Sequence, residues 1–356
     1  MSSETAAGRG TVGDLTPRRI AAVVVAALLA VLLLVGFAFP DTQAGQFVAI
    51  LTDRSTLAAT LRLSVPIAFA ALGGIFAEKS GVINIGLEGL LIVAAFTGVH
   101  LANVTGSVWL GLASAVVAST LMAAVFAVVC IEFRADQIIA GLAIWLVALG
   151  IAPFASILFY GGTNVSTTAG VGTVVIPGLA SIPFFGALFS ASPFVYLMFV
   201  AVAASWWTLN RTSFGRWVRA SGENPKALDT AGVNVTRVRY LAVLLSGVLC
   251  GFGGAALSLS LGQFVGNGQT IVNGKGFIAI VAYLFGNYNP IGALLSTMLF
   301  AGLDALQLTL QARDVFAVPK PLVRTIPYVT VIVVLALFGR TRIPDAAGDH
   351  YESGEE

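Results

Sequence analysis

Asn84 and Glu88, in the stretch AEKSGVINIGLEGLL, stand four residues apart and share one face of the helix that should follow the turn at Ser80 and Gly81. A carboxylate inside an apolar run is costly to keep there, and such residues usually face a bundle interior or a wet cavity. Two roles therefore fit Glu88. Either it belongs to a pathway for a polar solute, or it is a structural acid hydrogen-bonded to loop backbone or to Asn84. Gly86 and Gly89 flank the pair and read as close-packing positions rather than ligand contacts.

A second polar cluster is SGENPKALDTAGVNV, with Arg211, Arg216 and Arg219 before it and Arg237 and Arg239 after it. Asn224 suits a helix N-cap, Pro225 the first helical position and Gly232 the residue past the end. The pattern predicts a short helix over Pro225–Ala231 in which Ala227, Leu228 and Ala231 share a small apolar face, while Lys226 and Asp229 lie off it. A helix of about two turns is not stable alone in water, so it needs a surface to dock on. Glu223, Asn224, Pro225, Lys226, Leu228, Asp229, Ala231 and Gly232 are the residues expected to make that contact. A third segment, GKGFIAIVAYLFGNYNPIGALL, holds a short apolar run between glycines and a turn at Asn287–Pro290. Short spans broken by Gly and Pro are a sequence pointer to a transport path.

Several chemistries are excluded. GQTIVNGKG has the wrong spacing for a phosphate-binding loop, and Gly276 stands where that loop needs Ser or Thr. GFGG at Gly251 lies within an apolar span, where small residues serve helix packing. His100 and His350 with Cys130 and Cys250 cannot build a metal site, and both cysteines read as small buried hydrophobes. No nucleophile sits with a base. The chain is expected to have no catalytic residue, no metal and no cofactor of its own.

What must position these residues is a membrane bundle. Hydrophobic residues make up 57% of the chain and charged ones 10%, with mean hydropathy +0.92. Soluble domains carry about 25% charged residues. Apolar runs predict an all-α polytopic membrane protein with about ten spans: Ile20–Phe39, Thr56–Phe76, Ile83–Leu101, Val108–Ile131, Ile138–Tyr160, Phe194–Leu209, Val238–Leu261, Phe277–Gly286, Ile291–Leu310 and Leu322–Phe338. The eighth is short enough to be a half-helix. The first follows Arg18 and Arg19 and is too long for a signal-peptide core. With ten crossings and the N-terminus inside, thirteen of the 19 Lys and Arg fall inside. Residues 1–19 form a polar cytoplasmic arm, 20–340 the membrane domain with its loop at 211–237, and 341–356 an acidic cytoplasmic tail read as disordered. Residues 161–192, uncharged and rich in Gly, Pro, Ser and Thr, read as an ordered external loop. GGIFAEKSGVINIGLEG and GFGGAALSLSLGQFVGNGQTIVNGKGFIAI echo one another as interrupted spans, which suits two repeated halves.

GVINIGLEG, FGRWVRASGENPKALDTAGVNV and GKGFIAIVAYLFGNYNPIGALL together resemble the inner-membrane permease subunits of ATP-binding-cassette importers. The branch is the one serving branched-chain amino acids, simple sugars and nucleosides, and the nucleoside permeases are most similar. The resemblance runs from about Thr56 to Phe338. It implies a bacterial cytoplasmic membrane, a second permease subunit, identical or related, and a separate ATPase dimer that takes ATP and magnesium. It also implies an extracytoplasmic binding protein, and no nucleic-acid partner. In this family the loop matching Arg216–Val235 carries the coupling helix that sits on the ATPase. A nucleoside path should offer amides and aromatic faces rather than charges, so Asn84, Trp145, Phe264 and Asn267 are its expected residues, beside Glu88, the acid within a span named above. The competing readings are the same permease class carrying a simple sugar or amino acid, and an ion-coupled transporter with Glu88 as its proton site.

Overall fold

The computed structural model describes residues 17–167, 169–268, 270–313, 325, 329 and 342–352. Its helices are α1 (Pro17–Ala38), α2 (Gln43–Leu51), α3 (Arg54–Lys79), α4 (Leu87–Thr105), α5 (Val108–Ala127), α6 (Gln137–Tyr160), α7 (Pro193–Arg211), α8 (Ser213–Glu223), α9 (Pro225–Thr230), α10 (Val235–Leu261), α11 (Lys275–Phe285) and α12 (Pro290–Arg313). A π-helical turn, Val128–Glu132, extends α5. The described residues are mostly helical, as expected, with a few short strands. The loop after α6 holds β1 (Asn164–Ser166), β2 (Val174–Val175) and β3 (Ser190–Ala191). β2 pairs with β3, and β1 pairs antiparallel with β4 (Gln263–Val265), which follows α10.

Among the described residues seven helices are long and apolar enough to cross a membrane: α3, α4, α5 with its π turn, α6, α7, α10 and α12. An eighth results if the end of α1 and α2, bent by 104°, count as one span. Two of the expected ten are not among these, for different reasons. At 11 residues, α11 rises only about 16 Å against a hydrocarbon core of about 30 Å. The expected tenth span, Leu322–Phe338, lies outside the described residues except at two positions, as do residues 1–16 and 353–356.

Glycines set the packing. Gly73 of α3 lies against Ser246 of α10, and Gly253 of α10 against Phe69 and Pro66 of α3, so these helices run antiparallel. Gly254 meets Leu91 and Ala95 of α4, which runs parallel to α10, while Gly247 and Gly251 meet Thr120 and Val116 of α5. A Cβ at Gly251 or Gly254 would collide with the facing helix. Small residues bring membrane helices this close.

Each of the two echoed segments holds a non-helical break between a long helix and the next helix. α3 stops at Lys79 because Gly81 adopts φ +96°, where a Cβ would also strike Arg239. Residues 80–86 then run without helix back into the bundle. Asn84 donates to Ser246, near the middle of α10, at 3.2 Å, and accepts from the Gly86 N–H at 3.0 Å just before α4 begins. After α10 and β4 the chain re-enters, and α11 begins past Gly274, at φ +81°. Long helix, break, helix and long helix thus occur twice, with α11 antiparallel to α4.

The C-terminal segment, expected to be disordered, is packed over residues 342–352 because neighbouring backbone satisfies it. Ala346 donates to the Gly222 carbonyl at 2.8 Å and Gly348 to the Gly81 carbonyl at 3.0 Å. Arg239 donates to the Asp349 carbonyl at 2.7 Å.

Candidate functional site

The two breaks meet at Glu88. Its Oε1 accepts the Gly274 N–H at 2.7 Å and its Oε2 the Gly276 N–H at 2.6 Å, while only 2% of the residue is exposed. The carboxylate thereby caps α11, satisfying orphan donors at the positive end of the helix dipole. A Cβ at Gly276 would run into the Glu88 backbone, so the glycine is required by close approach.

The other end of α11 is held by Glu78, ten positions before Glu88 in the chain. Tyr283 donates to its Oε1, and Tyr288 to its Oε2 at 2.7 Å. All three residues are buried. Burial, and then the neighbouring Glu78 carboxylate, push the Tyr288 hydroxyl well above its ordinary range, so it stays protonated and donates. Lys79 lies over the Tyr288 ring, 5.8 Å from its centroid.

The expected pathway residues are not brought to one lumen. Asn84 and Phe264 are buried, and Asn84 is consumed by Ser246 and Gly86. Phe264 packs edge-on to Phe96 at 5.4 Å. Trp145 packs edge-on to Phe277 at 5.2 Å, bracing α6 against α11. Asn267 is exposed and accepts from the Thr163 hydroxyl. Glu88, Asn84 and Trp145 instead sit where the two breaks meet, Phe264 packs further along α4, and both oxygens of Glu88 are already held.

Beside the junction lies a cavity of about 450 Å³ between α3, α11 and α12, lined by Asn273, Lys275, Asp304, Gln307 and Gln311 with Leu63, Ile278 and Leu308. The α12 members were missed in the sequence. The signal was present: Asp304 is an acid within the apolar run Ile291–Leu310, and Gln307 and Gln311 follow at helical spacing.

At the opposite end of these breaks the second polar cluster folds as its caps predict. The Asn224 side chain accepts the Ala227 N–H at 3.0 Å, Pro225 opens α9, and Gly232 takes φ +79°. One assignment changes. Leu228 is 5% exposed and faces its own chain, so it anchors α9 rather than presenting it. The short helix has one wet side, and the apolar residue goes to the dry one. Glu223, Asn224, Lys226, Ala227, Thr230, Ala231 and Gly232 are exposed, with Pro225 and Asp229 partly so. The preceding α8 abuts the first break directly. Ser221 donates to the Ser80 carbonyl at 2.7 Å, and Gly222 lies against the Lys79 and Gly81 backbone. The C-terminal segment ties the same parts together, with the Tyr351 hydroxyl donating to Asp229 at 2.9 Å and Arg342 lying 3.8 Å from Glu223.

Seven long apolar helices, two breaks meeting at Glu88 with a polar cavity beside them, and a capped helix at one end of the bundle fit a multi-span membrane permease. The chain belongs to the family described as the permease component of branched-chain amino acid transport systems, which matches residues 56–336. It is 37% identical over 310 residues to a guanosine ABC transporter permease protein of Bacillus subtilis, covering 83% of this chain and 96% of that one. It is 36% identical over 299 residues to a nucleoside ABC transporter permease protein of Lactococcus lactis, covering 81% and 93%. A putative glucose ABC transporter permease protein of Haloferax volcanii is 34% identical over 302 residues, covering 79% and 90%. No solved structure matches the chain. The chain is a permease subunit of an ABC importer and not itself an enzyme.

Proposed function

We propose that this permease imports nucleosides across the bacterial cytoplasmic membrane by alternating access, with both termini cytoplasmic. It pairs with a second permease subunit, receives solute from an extracytoplasmic binding protein and is driven by a separate ATPase that binds ATP and magnesium. The observation that carries the mechanism is the continuous contact from α9 through α8 to the Ser80–Gly81 turn, and from there to both ends of α11. The exposed side of α9, with Lys226 and Ala231, is the ATPase contact. ATP-driven displacement of α8 and α9 shifts the turn, and with it the two glutamates that hold the half-helix, by rigid-body motion. Glu88 is structural in this scheme, because main-chain amides take both of its oxygens. That argues against a proton-coupled transporter.

The resemblance to a glucose permease protein supports a second reading, the same machine carrying a simple sugar. Uptake of radiolabelled guanosine, uridine, glucose and leucine by cells with and without this chain separates the two. Nucleoside uptake should depend on the chain and on the ATPase. Chain-dependent uptake of glucose alone selects the sugar, and uptake that survives loss of the ATPase defeats the ABC assignment.

A further inference from the structure

Building on the nucleoside reading, we propose that the cavity between α3, α11 and α12 is a base-recognition site for 6-oxopurine nucleosides. Asp304 accepts from the N1–H edge of the base, and Lys275 and Gln311 donate to O6 and N7.

The cavity has the size and lining of a small-molecule site. Its volume, about 450 Å³, lies in the range of about 300–1,000 Å³ that such sites occupy. Ile278, Leu63 and Leu308 offer apolar surface for a planar ring, and the polar groups converge from two elements. Asp304, Gln307 and Gln311 stand at i, i+3 and i+7, on one face of α12. Across from them Lys275 opens α11. Lys275 and Asp304 attract one another, yet among the described residues no ion pair within 4.0 Å joins them. Lys275 spends one donor on the Val272 carbonyl at 3.2 Å and keeps the others. The Gln311 side-chain nitrogen is buried without a hydrogen-bond partner. An unpaired buried donor in a folded protein calls for an explanation, and a ligand acceptor supplies it. A cavity of similar volume, about 430 Å³, lies between α5 and α7. Its Trp109, Leu112, Phe194 and Leu197 offer no comparable polar set.

One carboxylate, one ammonium and three amides favour an uncharged solute that both donates and accepts. A 6-oxopurine presents O6 and N7 as adjacent acceptors, which pair well with Lys or Arg. A 6-aminopurine places a donor at position 6 instead, opposite to what Lys275 offers. The cavity should therefore prefer guanosine and inosine over adenosine.

The test uses the reconstituted transporter, with both permease subunits and the ATPase but without the binding protein, whose own selectivity would intrude. It is photolabelled with 8-azidoguanosine. Label should map to peptides holding residues 273–278 and 304–311. Guanosine and inosine should displace it at about tenfold lower concentration than adenosine, the worth of one good base contact. D304N and Q311L should each weaken labelling about tenfold. The wild-type map decides the matter if either variant fails to accumulate. No labelling, label on other helices, equal displacement by adenosine, or full labelling of D304N overturns the assignment. The two levels separate cleanly: nucleoside uptake with label elsewhere defeats only the cavity, whereas absent nucleoside uptake defeats the reading beneath it.

Discussion

Glu88 and Glu78 hold opposite ends of α11 by opposite means. At the N-terminus two main-chain N–H groups converge on one carboxylate. At the C-terminal side the second carboxylate is reached by two tyrosine hydroxyls. The first arrangement adds a charge–dipole attraction to its hydrogen bonds, and no side chain can replace the backbone donors. The second is a pair of side-chain bonds that can be lost one at a time. The N-terminal clamp should therefore be the stiffer joint, and the C-terminal clamp, next to α8 and the turn at Gly81, the one that yields during transport.

Substitutions at the two ends can break or sharpen this contrast. The largest effect belongs to Gly276→Leu, which forces a side chain into the Glu88 backbone. Overpacking alone costs about 1–3 kcal/mol, and here it also separates α11 from its cap. Immunoblots of membranes should show little or no accumulated protein. Next is Glu88→Ala, which strands two buried donors at about 1–3 kcal/mol each. Glu88→Gln keeps one acceptor and should cost about half as much, read as the denaturation midpoint in detergent, with ATP-driven uptake retained and independent of external pH. Strongly pH-dependent uptake in wild type that vanishes in Glu88→Gln would restore Glu88 as a proton site.

A smaller loss is expected at the other clamp. Tyr283→Phe or Tyr288→Phe each removes one bond to a buried carboxylate, worth about 1.5–3 kcal/mol, against two stranded donors in Glu88→Ala. Their signature should be a changed uptake rate with a smaller loss of stability than Glu88→Ala. Equal losses of stability at both ends would erase the distinction between stiff and yielding joints. The smallest effect is that of Tyr351→Phe, which removes the partly buried bond to Asp229. A slightly lower ratio of transport to ATP hydrolysis, at unchanged protein level, is the expected readout.

The sequence disclosed these features unevenly, and for physical reasons. Caps, turns and packing glycines are local, so Asn224, Pro225 and Gly232 defined α9, and Gly251 was recognised as a packing position. The partner of Glu88 was invisible because it is backbone nearly two hundred residues away, and a main-chain N–H leaves no mark in a sequence. From sequence Leu228 reads as a docking residue because an apolar residue on a short helix must be covered, and periodicity does not say by what. The fate of residues 342–352 depended on carbonyls left open at Gly81 and Gly222 by tertiary packing. Asp304 broke the same rule as Glu88, an ionisable group in an apolar run. Its neighbours, Asn273 and Lys275 at the start of α11, come together with it only through tertiary packing.

The central claim is that work done elsewhere enters through the exposed side of α9. The most direct measurement is ATP-driven accumulation of radiolabelled guanosine in proteoliposomes holding this permease, its partner subunit and the ATPase, with binding protein outside. Wild type is compared with Ala231→Glu and Leu228→Glu. Wild type should concentrate guanosine only with ATP. Ala231→Glu should insert normally, hydrolyse ATP without accumulating guanosine, and so separate the two activities. Leu228→Glu should fail earlier, in protein level, because it buries a charge within the chain. Normal accumulation by Ala231→Glu would contradict the claim.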